Sequence, residues 1–231
     1  MMLTRNLALH VEPRITKEDS FVLQQLLKNL PTRGIVVEVG SFLGNGSTKT
    51  IIDTILYKDV NGTLYCIDTW KGNQNVDWHL KLAEEYSLFD TFLYYVTMYG
   101  GQNIVKPMIM ESKDAALTFK DKSCDLIFID GDHSFEITKQ DIEMWMPKVK
   151  KGGILCGHDC EGAISDFDPV QINKNLDKDF VPLENFLFAG CHPGVVKAVD
   201  AIFNGNVTLW AHKDLTEYGI SGRSSIWHEV M

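Results

Sequence analysis

Ile35-Val36-Val37-Glu38-Val39-Gly40-Ser41-Phe42-Leu43-Gly44-Asn45-Gly46-Ser47-Thr48 is the stretch whose reading decides the fold. A continuous β-branched run ends in a carboxylate, passes through three glycines and enters an apolar segment at helical spacing. That order predicts a buried parallel strand, a tight turn and a helix N-terminus. Glycines let the backbone turn sharply and approach a ligand, and the free N–H groups at a helix start receive polar or anionic groups.

The ligand class follows from what the turn lacks. A dinucleotide fingerprint needs Gly-x-Gly-x-x-Gly, and Phe42 and Asn45 occupy its second and third glycine positions. No Lys-Ser or Lys-Thr closes the turn, so a phosphate-cradling loop fails as well. Glu38 repels a pyrophosphate and attracts a ligand carrying ammonium and sulfonium charges. The sign of that charge points to S-adenosyl-L-methionine.

Further along the chain stand Ile67-Asp68-Thr69-Trp70-Lys71-Gly72, Ile129-Asp130-Gly131-Asp132-His133-Ser134-Phe135-Glu136 and Gly152-Gly153-Ile154-Leu155-Cys156-Gly157-His158-Asp159. With the Glu38 stretch, these four motifs resemble, in order, the class I S-adenosylmethionine-dependent methyltransferases. The likeness is strongest to the small O-methyltransferase-like subfamily that modifies sugars and natural products, and His192-Pro193-Gly194-Val195 is a weaker fifth motif. The resemblance implies an α/β, Rossmann-like class I methyltransferase fold. Its sheet is mostly parallel and seven-stranded, with helices on both faces and an antiparallel final strand.

Periodicity places the elements. A covering helix capped near Thr16 runs to Pro31, and strands are expected at 35–39, 63–67, 104–110 and 124–129. Strand five is expected at 154–156, with later strands at 206–210 and 224–228. Helices are expected at 46–57, over one long aromatic-rich stretch from Asp77 to Met98, after Ser112, after Ser134 and at 194–203. Residues 1–231 read as one domain, with 1–31 a covering segment and 160–191 a polar insert of little periodicity that suits a lid over the site.

Because ligands of open parallel sheets bind outside the carboxyl ends of the strands, Glu38, Asp68, Asp130, His133, His158 and Asp159 should meet at one edge. Asp68 sits where a ribose-binding acid is expected, 22 residues after Gly46. Glu38, Gly40, Ser41 and Gly44 form the expected cofactor turn, with Asp130 beside it. Trp70 either covers the adenine or plugs its loop. The resemblance makes Ser112 an adenine contact, and an ordinary helix start explains that serine equally well.

Related O-methyltransferases hold a divalent cation at the ends of strands four and five, which corresponds here to Asp130, His158 and Asp159. An imidazole at His158 suits Mn²⁺, Fe²⁺ or Zn²⁺ better than Mg²⁺. Without a metal, His133 or His158 is the general base, with Asp132 a further option, because imidazole titrates near neutrality. His192 reads first as the residue before a helix, while His10, His79, His212 and His228 show no partner pattern.

The composition, 231 residues with 45 % hydrophobic content and a net charge of −9, suits one ordinary core and offers no basic stripe for nucleic acid. With neither a leader nor an apolar run of membrane-spanning length, the expectation is a cytoplasmic protein acting on a small-molecule methyl acceptor. A homo-oligomer can supply part of the acceptor pocket. The five cysteines read as reduced core thiols, with Cys160 and Cys191 the one pair to consider as a disulfide. Two other functions stay open: a non-catalytic module that binds the cofactor, and, less well supported, a nicotinamide oxidoreductase.

Overall fold

The computed structural model describes residues 6–184 and 188–231. Its centre is a seven-stranded sheet built from β1 (Ile35–Val39), β2 (Thr63–Asp68), β3 (Val105–Ile109), β4 (Cys124–Ile129), β5 (Val149–Gly157), β8 (Thr208–Leu209) and β9 (Trp227–Val230), in the order β3-β2-β1-β4-β5-β9-β8. The five strands from β3 to β5 run parallel, and β9 joins antiparallel to both β5 and β8. Strand order reverses between β1 and β4, β2 and β3 being added on one side and β4 and β5 on the other, so a crevice opens at their carboxyl ends.

Alternation along the strands supplies two apolar faces. Val36, Leu64, Leu126 and Phe128 pack with α1 (Lys17–Leu27), α2 (Ser47–Lys58) and α4 (Leu88–Met98). Val37, Val39, Ile127 and Ile129 pack on the other side with α5 (Ser112–Thr118), α6 (Phe135–Trp145) and α8 (Pro193–Phe203). The α1 start is a capping box in which Thr16 Oγ1 accepts the Asp19 N–H and the Asp19 carboxylate accepts the Thr16 N–H. Residues before it are tied to α4: the Ala8 N–H donates to Thr91 Oγ1 and the Ser87 N–H to Asn6 O.

Three expectations change. The stretch from Asp77 to Met98 is two helices, α3 (Asp77–Glu85) and α4, because extended Tyr86 stops the first and Ser87 Oγ accepts the Asp90 N–H to start the second. The insert, of which residues 185–187 lie outside the described residues, is structured around them. Asp168 caps α7 (Pro169–Lys174), which starts with proline in its first turn, and β6 (Val181–Pro182) pairs antiparallel with β7 (Gly190–Cys191). Cys160 and Cys191 are both buried free thiols, not a disulfide. The Cys160 thiol points back to Gly162 O at 3.5 Å.

Candidate active site

The crevice holds a cavity of about 560 Å³ lined by Gly40, Phe42, Asp68, Ser112, Asp130 and Asp141 among others. That volume suits a nucleoside-sized ligand. Gly40 is at φ +87°, and a Cβ there would stand 1.9 Å from Asp130 O, so β1 and β4 approach this closely only through glycine. Gly44, at φ +78°, faces the Phe92 ring, which a Cβ would meet at 2.8 Å.

Phe42 also adopts a left-handed conformation, at φ +45°. Two neighbours hold it there. Its N–H donates to Asp68 Oδ2 at 2.8 Å, and its carbonyl accepts the Trp70 indole N–H at 2.6 Å. Asp68 Oδ1 accepts the Trp70 backbone N–H at 2.7 Å, so this carboxylate braces the turn as well as lining the cavity. Burial pushes its pKa up, and the two N–H groups oppose that shift. Trp70 is 7 % exposed and packs against Phe89 and Phe92, the plugging arrangement of the two that the sequence leaves open.

Beneath the turn lies Glu38, fully buried. Its Oε2 accepts the Ser41 and Thr48 hydroxyls, each at 2.6 Å, while Oε1 has no partner. Burial raises its pKa. Ser41 therefore points inward to Glu38. Ser112 lines the cavity, and its Oγ accepts the Trp145 indole N–H at 2.9 Å.

Next to Asp130 the strand ends deliver a cluster larger than the sequence suggests. Asp159, at φ +60°, lies at its middle. Its Oδ2 is 3.1 Å from His133 Nε2, and its Oδ1 is 3.1 Å from His158 Nδ1 and 3.5 Å from His192 Nδ1. His158 Nδ1 is also 3.6 Å from Asp130 Oδ1, and Asp19 Oδ2 of α1 is 3.1 Å from His158 Nε2. His133 Nδ1 meets Asp179 Oδ1 at 2.7 Å, and His192 Nδ1 meets Glu161 Oε1 at 2.6 Å. Asp130, His133, His158 and Asp159 are thus gathered as expected. His192 both precedes α8 and reaches the cluster.

Asp19, Glu161 and Asp179 were invisible to sequence reasoning. Asp19 reads as a capping residue of α1, and the other two fall in a segment without periodicity. His79, without a pattern in the sequence, lines the cavity with its ring stacked on Phe42 at 4.5 Å, and burial drops its pKa to about 4. Asp132 accepts from both the N–H and the hydroxyl of Ser134, the residue at the start of α6.

The cluster's electrostatics are set by opposing effects. Burial disfavours the charged imidazoles, but the surrounding carboxylates outweigh it and raise the pKa of His133, His158 and His192. Burial likewise pushes Asp19 up, yet His158, with the Thr16 and Ser224 hydroxyls, holds it at about 2. Asp130 and Asp159 are also held low, chiefly by His158 against burial.

A crevice at the β1–β4 switch, a glycine turn over a buried acid and an acid closing β2 together define the Rossmann-like class I methyltransferase fold. The sequence profile described as Methyltransferase domain matches residues 37–160, more than half of the chain. The chain belongs to this family, the class I S-adenosylmethionine-dependent methyltransferases. Among solved structures, an O-methyltransferase from Bacillus cereus in complex with SAH superposes with a TM-score of 0.55 at 14 % identity, covering 94 % of this chain and 82 % of that one. Cofactor-bound Rv0187 from MTB gives 0.57 at 13 % identity, with 94 % and 82 % covered. The uncharacterized protein y4gI of Sinorhizobium fredii is 26 % identical over 129 residues, which cover 54 % of this chain and 13 % of that much longer protein.

Proposed function

We propose that this chain is an S-adenosylmethionine-dependent O-methyltransferase that methylates a hydroxyl of a small, sugar-like or natural-product-like acceptor with the help of a divalent cation. The observation that carries the proposal is Asp130, which lines the cofactor cavity and at the same time faces His158 and His133 of the cluster. Methyl donor and proton-handling groups are thereby neighbours. The cavity's own charge supports the donor: Asp68, Glu111, Asp130, Asp132 and Asp141 line it against Lys71. An acidic cavity suits the sulfonium and ammonium of S-adenosylmethionine.

The donor set fits a cation. Among the described residues the ion-pair partners of Asp19, Asp130, Asp159, Glu161 and Asp179 are His133, His158 and His192, five carboxylates against three imidazoles, so the cluster stays negative even with every imidazole protonated. Excess buried charge of that kind is stabilised by an opposite charge. His158 Nε2 and His133 Nε2 are buried 3.1 Å from Asp19 Oδ2 and Asp159 Oδ2 respectively, ion-pair contacts whose angles do not make a hydrogen bond. Asp130, His158 and Asp159 would hold the ion, and the mixture of imidazole and carboxylate favours Mn²⁺, Fe²⁺ or Zn²⁺. When bound, such an ion lowers the pKa of a hydroxyl placed against it.

The chain's own contribution is to position and to remove a proton. His133, held between Asp159 and Asp179, is the proposed base, with His158 beside it. Residues 160–191 act as the lid on the acceptor side, since they carry Glu161 and Asp179 and lead into His192. The test is release of S-adenosylhomocysteine from S-adenosylmethionine over a panel of hydroxylated sugars and phenols, with and without Mn²⁺. Cation-dependent release with at least one acceptor is expected. Tight cofactor binding with no transfer across the panel would favour a binding module, and no binding at all would overturn the assignment.

A further inference from the structure

We infer that the chain binds a second divalent cation, on Asp159, Glu161 and His192, and that this ion clasps the two ends of the 160–191 insert. The site shares Asp159 with the ion proposed above at Asp130, His158 and Asp159, but it needs neither cofactor nor acceptor.

The arrangement that points to it occurs twice around one oxygen. Asp159 Oδ1 is 3.1 Å from His158 Nδ1, and that nitrogen has Asp130 Oδ1 at 3.6 Å. Asp159 Oδ1 is also 3.5 Å from His192 Nδ1, which has Glu161 Oε1 at 2.6 Å. In each set two carboxylate oxygens converge on a single imidazole nitrogen, and the ligand atoms of Asp159, Glu161 and His192 all lie within 4.8 Å of one another. A proton on the nitrogen lies along one N–H axis and serves one of the two oxygens. A cation at the junction takes both oxygens and the nitrogen together. One carboxylate shared between two such sets suits a pair of neighbouring ions.

Charge favours two ions over one. Ligation needs a neutral imidazole, and so does the base role of His133. With all three imidazoles neutral, one divalent ion leaves three of the cluster's five carboxylate charges uncompensated, and two ions leave one. Even with His192 protonated beside a single ion, two remain. Buried charge without a counter-charge is costly.

The donors are held in place by the fold. Glu161 is 4 % exposed, and its Oε2 accepts the His192 backbone N–H at 3.0 Å. Just before it the Cys160 N–H donates to Ser225 O at 2.9 Å, and just after His192 a proline opens α8. Asp179, the other acid near His192, is one-third exposed and already meets His133, so Glu161 is the better-placed ligand. One imidazole with two carboxylates again suits Mn²⁺, Fe²⁺ or Zn²⁺. Because Glu161 stands at the start of the insert and His192 directly follows its end, an ion between them fastens both ends to the residue closing β5.

The test is titration of EDTA-stripped protein with Mn²⁺ alone, the free ion being counted by electron paramagnetic resonance. Two ions per chain are expected in the parent protein, with the spin-coupled spectrum that distant ions do not give, and one uncoupled ion in Glu161→Gln. Trypsin supplies a second readout, since Lys174 and Lys178 lie within the insert. Mn²⁺ should slow cleavage there in the parent protein and much less in Glu161→Gln. The parent measurements stand whether or not the variant folds. A single ion per parent chain, or two without coupling, would overturn the inference, and retention of that single ion in Glu161→Gln would keep the site proposed above. No binding at all removes both sites, and two bound ions with no protection of the insert overturn the clasp.

Discussion

Asp19 Oδ2 lies 3.1 Å from His158 Nε2, which joins the helix covering one sheet face to the end of β5. The other oxygen, Asp19 Oδ1, accepts the Ser224 hydroxyl at 2.7 Å and the Ser225 N–H at 3.0 Å. One buried carboxylate therefore ties α1, β5 and the approach to β9 together.

Acid should loosen this tie. Asp19 has a folded pKa of about 2, below its ordinary value, so the stability it contributes is present above about pH 4 and is lost as the pH falls toward 2. His158 has the opposite sign: its raised folded pKa gives stability that is complete below about pH 6.5 and is lost as the pH rises through that raised value. Asp19→Asn should lower the unfolding free energy by about 2 kcal/mol at pH 7 and converge on the parent protein near pH 2. Urea unfolding at a series of pH values measures both, and parallel curves for the two proteins would show that the pair is not the source.

Chelation should remove turnover. Dialysis against EDTA, then addition of single ions, should restore activity with Mn²⁺, Fe²⁺ or Zn²⁺ better than with Mg²⁺. In the same protein Asp19→Asn should weaken Mn²⁺ binding by roughly 10- to 100-fold, because carboxylates behind a ligating histidine orient it. Isothermal titration gives the affinities. Full activity in EDTA would leave His133 or His158 as a simple base.

Asp68 and Trp70 should separate cleanly. Asp68→Ala removes the acceptor of the Phe42 and Trp70 N–H groups and should weaken S-adenosylmethionine binding by about 1.5–3 kcal/mol. Trp70→Phe keeps the core contact with Phe89 and Phe92 and loses only the bond to the Phe42 carbonyl. About 1 kcal/mol of stability should go, with cofactor affinity nearly kept. A Trp70→Phe variant that binds cofactor as poorly as Asp68→Ala would return Trp70 to the adenine site.

Replacing residues 162–189 with a short Gly-Ser linker deletes α7, the β6–β7 hairpin up to Ala189, and the Asp179 carboxylate that meets His133. Since none of the described residues of that span lines the cofactor cavity, affinity for S-adenosylhomocysteine should hold while kcat/KM falls steeply. Steady-state kinetics beside calorimetry reads the two effects separately. A truncated protein that folds and turns over at the parent rate removes the lid.

Much of this fold is legible from local pattern. The run Ile35–Val39 and the glycines after it announce a buried strand and a turn whatever surrounds them, and Asp130, His158 and Asp159 follow from the same strand-end logic. The rest depends on contacts between distant residues. Ser87 interrupts the aromatic stripe of Asp77 to Met98 without disturbing its spacing, so the helix break is hidden. Asp141 looks like any polar position of an amphipathic helix, and only the close approach of the β4 turn and Ser112 places it in the cavity. Phe42 is the converse: a residue unsuited to its conformation, held there by two partners from another strand's loop.

Asp19's bonds to Ser224 and Ser225 also set a timetable for biosynthesis. Contacts between segments this far apart form late, after local helices and the neighbouring strands of the βα units. Until residue 225 has left the ribosome, His158 lacks the anchored form of its carboxylate neighbour, and the histidine cluster stays incomplete. A nascent chain stalled before that point should already protect its β1–α2–β2 unit from proteolysis while leaving α1 open to cleavage, so the cluster is completed only once residues 224 and 225 reach Asp19.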